Sequence, residues 1–195
     1  MERDRITWDA RFDLNAPWAD HVQTVIAAQR AKSRQVGTSV RNTLPLRVRD
    51  NRYGERTWQA GLQADKLFKS GDWAHRLTYG YDYVRSDIDN LYTGLAPLPP
   101  EVFPLKRFPD TRETTHALYL QDESVLGDWS LTPGLRLDHF ALDVTSQAGF
   151  YPPASEPGKS LSGSAVSPKF GLLYRATPAW TLYGQYAAGF RAPDA

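Results

Sequence analysis

The side chains in this chain best suited to ligate a metal are four histidines, His21, His75, His116 and His139. There is no cysteine, so thiolate metal sites, disulfide frameworks and cysteine nucleophiles are excluded together. No G-x-S-x-G elbow and no H-E-x-x-H motif occurs, so no nucleophile–base pair points to an enzyme. A second chemistry lies in the stretch LYTGLAPLPPEVFPLKRFPD, residues 91–110. Its five prolines stiffen it and lower the entropy lost when it holds a ligand. Tyr92, Phe103 and Phe108 offer apolar rings, and Lys106 and Arg107 offer charge-assisted bonds to a carboxylate-bearing ligand. The plainer alternative is a solvated, structured loop with no ligand at all.

These residues must be carried by something, and composition alone does not say what. Among 195 residues, 23 are basic and 22 acidic, so the balance implies no nucleic-acid partner. No apolar run approaches the roughly 18 residues of a membrane helix, and MERDRITWDA has no apolar signal region. A transmembrane β-barrel escapes both tests, because only alternate residues of its strands need be apolar.

Alternation is the dominant pattern. Ile6, Trp8, Ala10, Phe12 and Leu14 share one face of residues 5–14. Trp58, Ala60, Leu62 and Ala64 do the same, as do Trp73, Leu77, Tyr79, Tyr81 and Tyr83. Trp129, Leu131, Leu135 and Leu137 form another such face, then Phe170, Leu172 and Tyr174, and finally Trp180, Leu182, Tyr186 and Phe190. With two weaker stretches, 21–30 and 115–126, the pattern predicts eight antiparallel strands in four hairpins. A two-residue turn at Gly127-Asp128 pairs Leu126 with Trp129, Leu120 with Leu135, Leu118 with Leu137 and His116 with His139. Tyr119 then meets Arg136, Gln121 meets Gly134, and Glu123 meets Thr132 on the other face. A four-residue loop at 69–72 pairs Phe68 with Trp73, Leu62 with Tyr79 and Asp65 with Arg76. The histidine pair thus lies on the apolar face, which disfavours a ligand role.

Short connections fall near 15–20, 69–72, 127–128 and 177–179, and long ones near 31–52, 86–113 and 144–164. Short turns on one side and long loops on the other mark a bacterial outer-membrane barrel. Trp18, Trp73, Trp129 and Trp180 all follow the short turns and form an expected aromatic girdle at the inner interface with outer-membrane lipid. A soluble β-sandwich explains the alternation equally well, but not the alternating loop lengths or the abundance of Trp and Tyr on one face.

Residues 115–195, with SVLGDWSLTPGLRLDHF and SPKFGLLYRATPAWTLYGQYAAGFRAPDA, resemble the barrel strands of TonB-dependent outer-membrane receptors. Residues 1–114 fit by strand pattern alone. Phe190, Arg191, Ala192 and Pro193 resemble the Phe-Arg-Ala-Pro box of haem receptors, in which a haem-ligating histidine and an Asn-Pro-x-Leu box come next. The resemblance implies uptake of haem or haemoprotein iron, with a ferric siderophore as the alternative cargo. It also implies an open piece of a larger barrel, 1–195, with no plug domain among these residues. TonB would then be reached through a plug elsewhere, and no cofactor would be held by this piece itself. A complete small eight-stranded barrel with a structural or adhesive role is the competing expectation.

Overall fold

The computed structural model describes residues 1–42, 44–150 and 158–189. They form one antiparallel sheet of eight strands in chain order. These are β1 (Glu2–Asp13), β2 (His21–Arg41), β3 (Leu44–Ser70), β4 (Trp73–Leu95), β5 (Asp110–Leu126), β6 (Trp129–Ser146), β7 (Leu161–Thr177) and β8 (Trp180–Ala187). Among the described residues β1 and β8 do not pair, so the sheet is open, as the sequence predicts.

The β5–β6 ladder follows the predicted register at Leu126–Trp129, Leu120–Leu135, Leu118–Leu137, His116–His139, Tyr119–Arg136 and Gln121–Gly134. It is interrupted at Asp122 and Glu123, opposite Thr132 and Pro133, so the expected Glu123–Thr132 pair is not formed. Pro133 has no N–H to donate there.

The β3–β4 register needs correcting. The turn is two residues long, not four: Ser70 faces Trp73 across Gly71-Asp72, and Phe68 faces His75. Gly71 has φ 60°, the left-handed geometry that a tight hairpin demands. Leu62 therefore meets Tyr81, and Asp65 meets Thr78 rather than Arg76. The error is two residues, so every side chain keeps its predicted face.

The long connection expected at 31–52 is also overturned. β2 runs to Arg41, β3 begins at Leu44, and the two stay paired along this stretch, with one irregularity between Ser39 and Arg41. Charged residues break the apolar alternation here, with Val36, Val40 and Leu46 exposed among them, while backbone pairing continues. The other long connections shrink to 96–109 and 147–160.

The register divides the sheet into two faces. One carries Phe12, Trp8 and Ile6 on β1, Ile26 on β2, Leu62 and Trp58 on β3, Leu118 and Leu120 on β5, and Leu135 and Leu137 on β6. This apolar face is bare: Ile6 is 74% exposed, Trp58 55%, Leu118 57% and Leu182 59%. A soluble sandwich would bury these side chains against a second sheet, and none is present among the described residues. On β4 the apolar face runs from Trp73 to Tyr83 before its first arginine, Arg85. That is roughly 33 Å of strand, or about 23 Å of height at a tilt near 45°, which matches the apolar band of an outer-membrane barrel.

The opposite face is polar and internally bonded. Arg136 donates to Asp82 at 2.9 Å and to Asp138 at 3.0 Å, and its guanidinium lies 5.8 Å from the Tyr119 ring centre. Asp65 accepts from Thr78 at 2.6 Å. Tyr119 lies over Gly80, where an added Cβ would meet its hydroxyl at 2.3 Å. Such ladders satisfy the inner face of a barrel with a wet lumen.

Candidate functional site

At the end of the sheet remote from the tight turns, the polar face changes character. β6 carries Leu135 and Leu137 on the apolar face, but Phe140, Leu142 and Val144 on the other, with no bulge between them. Ile88 of β4 and Leu161 of β7 fall on that same inner face through the pairs Ile88–Thr111, Thr111–Val144 and Leu142–Leu161. These residues line an open-sided cavity of about 590 Å³, joined by Tyr53 of β3 and by Phe108. Glu113 and Lys159 supply its charges. The Phe140 ring lies against Gly163, where a Cβ would come within 2.7 Å of it, so only glycine leaves the ring this seat. Tyr53 and Phe108 meet edge to face at 6.4 Å.

Burial first, and then Glu55, push the Tyr53 phenol up to about 12, so it remains a hydrogen-bond donor across the physiological range. Its hydroxyl donates to Glu55 at 3.2 Å.

The connection 96–109 closes over this end as an ordered body. Leu105 is buried and bridges to Tyr92, with backbone bonds of 2.8 and 3.0 Å in both directions. Asn90, also buried, clamps the loop with its side-chain amide. Its Nδ2 donates to the Phe108 carbonyl at 2.7 Å, and its Oδ1 accepts from the Arg107 N–H at 2.8 Å. Both peptide bonds Pro99-Pro100 and Phe103-Pro104 are cis.

At the same long-loop end a single carboxylate draws three arginines together. Glu101 accepts from Arg47 at 2.9 Å, from Arg49 at 2.9 and 3.0 Å, and from Arg107. Burial alone would raise Glu101, but the bonds from Arg49 and Arg107 outweigh it and hold the carboxyl below the ordinary glutamate range. The Nε atoms of Arg47 and Arg49 are buried without a partner. The Arg107 guanidinium also lies 5.8 Å from the Tyr92 ring centre.

The structure therefore brings together Tyr92, Phe108 and Arg107 of the expected ligand-contact loop. Lys106 is engaged by Asp110 at 2.5 Å and also bridges by its backbone to Phe150. Phe103 precedes the second cis proline on the same loop. Glu101, Asn90 and the β6 residues Phe140, Leu142 and Val144 were not singled out from sequence. The signal that could have found the last three is the change of phase after Leu137.

His116 and His139 face each other across the β5–β6 ladder, as expected, and His21 and His75 lie apart from them. His116 accepts or donates at 2.6 Å to the Tyr81 hydroxyl, and His139 at 3.0 Å to Ser164. His75 bonds to Asp122 and His21 to Asp13, each at 2.7 Å. Among the described residues no group of three or more metal-ligating side chains exists. Trp73, Trp129 and Trp180 open β4, β6 and β8, and Trp18 lies in the β1–β2 connection, where its carbonyl accepts from Tyr79 at 2.7 Å. Residues 190–193, the family box, lie outside the described residues.

An open meander with a bare apolar band, a polar inner face and a walled cavity at its long-loop end defines a segment of an outer-membrane receptor barrel. The family model "TonB dependent receptor-like, beta-barrel" matches residues 1–195, and the chain belongs to that family. It is a bacterial outer-membrane protein, and the family consists of receptors and transporters rather than enzymes.

Three solved structures share the fold. The "Copper transporter OprC" superposes with a TM-score of 0.74 at 15% identity, covering 98% of this chain and 30% of that one. The ferric-catecholate import receptor Fiu from E. coli K12, in its open form, gives 0.61 at 19% identity, with 95% and 35% covered. BauA, the ferric preacinetobactin receptor from Acinetobacter baumannii, gives 0.64 at 15%, with 94% and 29% covered. The chain thus spans about a third of the length of these relatives.

Proposed function

We propose that this segment forms part of the wall and the outer vestibule of a receptor that imports a metal chelate of the ferric-siderophore type. The observation that carries this reading is the apolar cavity on the otherwise polar inner face, walled by Tyr53, Phe108, Phe140 and Leu142. Aromatic walls with a few polar groups at the rim suit a bulky, partly apolar complex. The Arg47–Arg49–Arg107 cluster at the same end of the sheet suits a ligand bearing negative charge. Two of the structural neighbours are named as receptors for ferric chelates, which supports the same cargo class. Energy for import would come through TonB, by way of a plug outside this segment. The segment itself holds no cofactor. Trp18, Trp73, Trp129 and Trp180 serve as anchors at the inner membrane–water boundary.

A second reading, haem or haemoprotein iron, rests on Phe190, Arg191, Ala192 and Pro193. One titration separates the two. The receptor containing this segment is refolded in detergent and titrated with a ferric catecholate and, separately, with haemin. The siderophore-type reading expects saturable tryptophan quenching by the ferric catecholate, weakened at least about tenfold by Phe108→Ala, since an exposed aromatic ring that a ligand covers carries much of such a contact. A saturable Soret change with haemin, and none of that quenching, overturns it in favour of haem.

A further inference from the structure

The apolar face ends abruptly on the first three strands and gives way to a basic patch. Directly beyond the row Ile6–Ala28–Trp58 comes the row Asp4–Arg30–Arg56, and beyond that Lys32, Arg34 and Arg52 on the same face. By the height reached at Trp58 and Tyr83, this step lies at the outer edge of the hydrocarbon, where lipid headgroups begin. The outer-membrane location of the chain puts the headgroups of its outer leaflet there.

Arg30 and Arg56 are directly opposed across the β2–β3 ladder. Like charges in that position repel each other and destabilise the pair. No ion pair to a nearby acid joins either of them. Asp50 is taken by Arg34 and Arg52 at 2.8 and 2.9 Å, and Asp87 by Arg85 and Arg112 at 3.1 and 2.8 Å. Asp4 stands beside Arg30 without an ion pair, and Glu2 and Asp89 stand either side of Lys32 and Gly54 without one. Among the described residues Arg30, Lys32 and Arg56 have no ion-pair partner, and all three are exposed. A shallow depression of about 620 Å³ spans the boundary, with Ile6, Ala28 and Trp58 at its apolar end and Arg30, Arg56 and the single carboxylate of Asp4 at its charged end.

We infer that this depression is a binding site for a phosphate-bearing lipid of the outer leaflet. The phosphate sits between the Arg30 and Arg56 guanidiniums, with Lys32 beside it, and the acyl chains lie along Ile6, Ala28 and Trp58. Two features select a lipid over a free anion. The guanidinium pair neutralises a phosphate by charge-assisted bonds. The bare apolar row immediately below gives the ligand's chains a favourable place to go.

The test uses the receptor containing this segment, refolded in an uncharged detergent and titrated with diphosphorylated lipid A, with its fully dephosphorylated counterpart, and with inorganic phosphate. Trp58 fluorescence and native mass spectrometry report occupancy. The diphosphorylated lipid should bind saturably and release with salt, and the dephosphorylated one should bind far more weakly. Arg30→Glu/Arg56→Glu should weaken the diphosphorylated lipid at least about tenfold, since each basic residue contributes appreciably to attraction at an anionic surface. Arg30→Lys/Arg56→Lys should retain most of the binding, which guards against a variant that fails to fold. Arg11→Glu, on the opposite face, should leave binding unchanged. Equal binding of the phosphorylated and dephosphorylated lipids overturns the inference, as does inorganic phosphate competing at equal concentration. Neither result would touch the ferric-chelate titration, which reads the other face.

Discussion

Asn90 and Glu101 hold the loop over the cavity by different means, and the two respond to different perturbations. Asn90 is a buried amide that satisfies one backbone carbonyl and one backbone N–H. Asn90→Ala would orphan both groups, at about 1–3 kcal/mol, and should expose residues 96–109 to hydrogen exchange while leaving the β3–β4 ladder protected. Glu101 is held below its ordinary range by Arg49 and Arg107. A carboxyl depressed in the folded state contributes stability above its unfolded pKa and loses it as pH falls through the folded value. Loop protection should therefore persist through the ordinary glutamate range and fall away below it. Glu101→Gln should abolish that acid transition, and limited proteolysis across pH checks both outcomes. Neither residue was legible as a clamp in the sequence. Asn90 bonds to partners 17 and 18 residues away, two of the three arginines on Glu101 lie 52 and 54 residues away, and no local pattern reports such a partner. The Lys106 and Arg107 charges were legible, but their internal carboxylate partners were not.

At the scale of the strand, side-chain alternation identified all eight elements and the face of each residue in the apolar band. It failed where the band ends. Residues 31–52 stay paired although charged residues break the apolar alternation, because the ladder's backbone bonds do not depend on which side chains flank them. The same pattern misplaced the β3–β4 turn by two residues, since a shift of two leaves the alternation untouched. It also held the signal for the cavity, in the phase change between Leu137 and Phe140. Glycines mark a further constraint. At Gly80 an added Cβ would meet both the Tyr119 hydroxyl at 2.3 Å and the Leu62 carbonyl oxygen at 2.4 Å. Gly80→Ala should cost about 1–3 kcal/mol by overpacking, read as a lowered urea midpoint in detergent. At Gly134 the nearest atoms belong to the flexible Lys169 side chain, so Gly134→Ala should shift that midpoint little.

For the whole molecule, the two ends of the apolar band make separable predictions. Trp73, Trp129 and Trp180 begin their strands at the tight-turn end, whereas Trp58 stands next to Arg56 at the other. In vesicles, single-tryptophan variants retaining Trp129 or Trp180 should be quenched most by lipids brominated near the headgroup of the turn-side leaflet. A variant retaining Trp58 should answer to the same lipids placed in the opposite leaflet. Strongest quenching of Trp129 by bromines at the bilayer centre would remove the girdle.

The β2–β3 hairpin outlasts the membrane. Past Arg56 the strand continues to Leu44, roughly 40 Å along its path and about 28 Å in height at the same tilt. Val40, near the tip, is 82% exposed. With no native cysteine anywhere in the chain, Val40→Cys would give one unambiguous attachment point for a dye. Energy transfer from that dye to an acceptor in the bilayer would turn the hairpin into a ruler. It would measure how far the protein's tip stands above the lipid, and whether that stand-off shortens when a cargo fills the cavity that the hairpin's own arginines overlook.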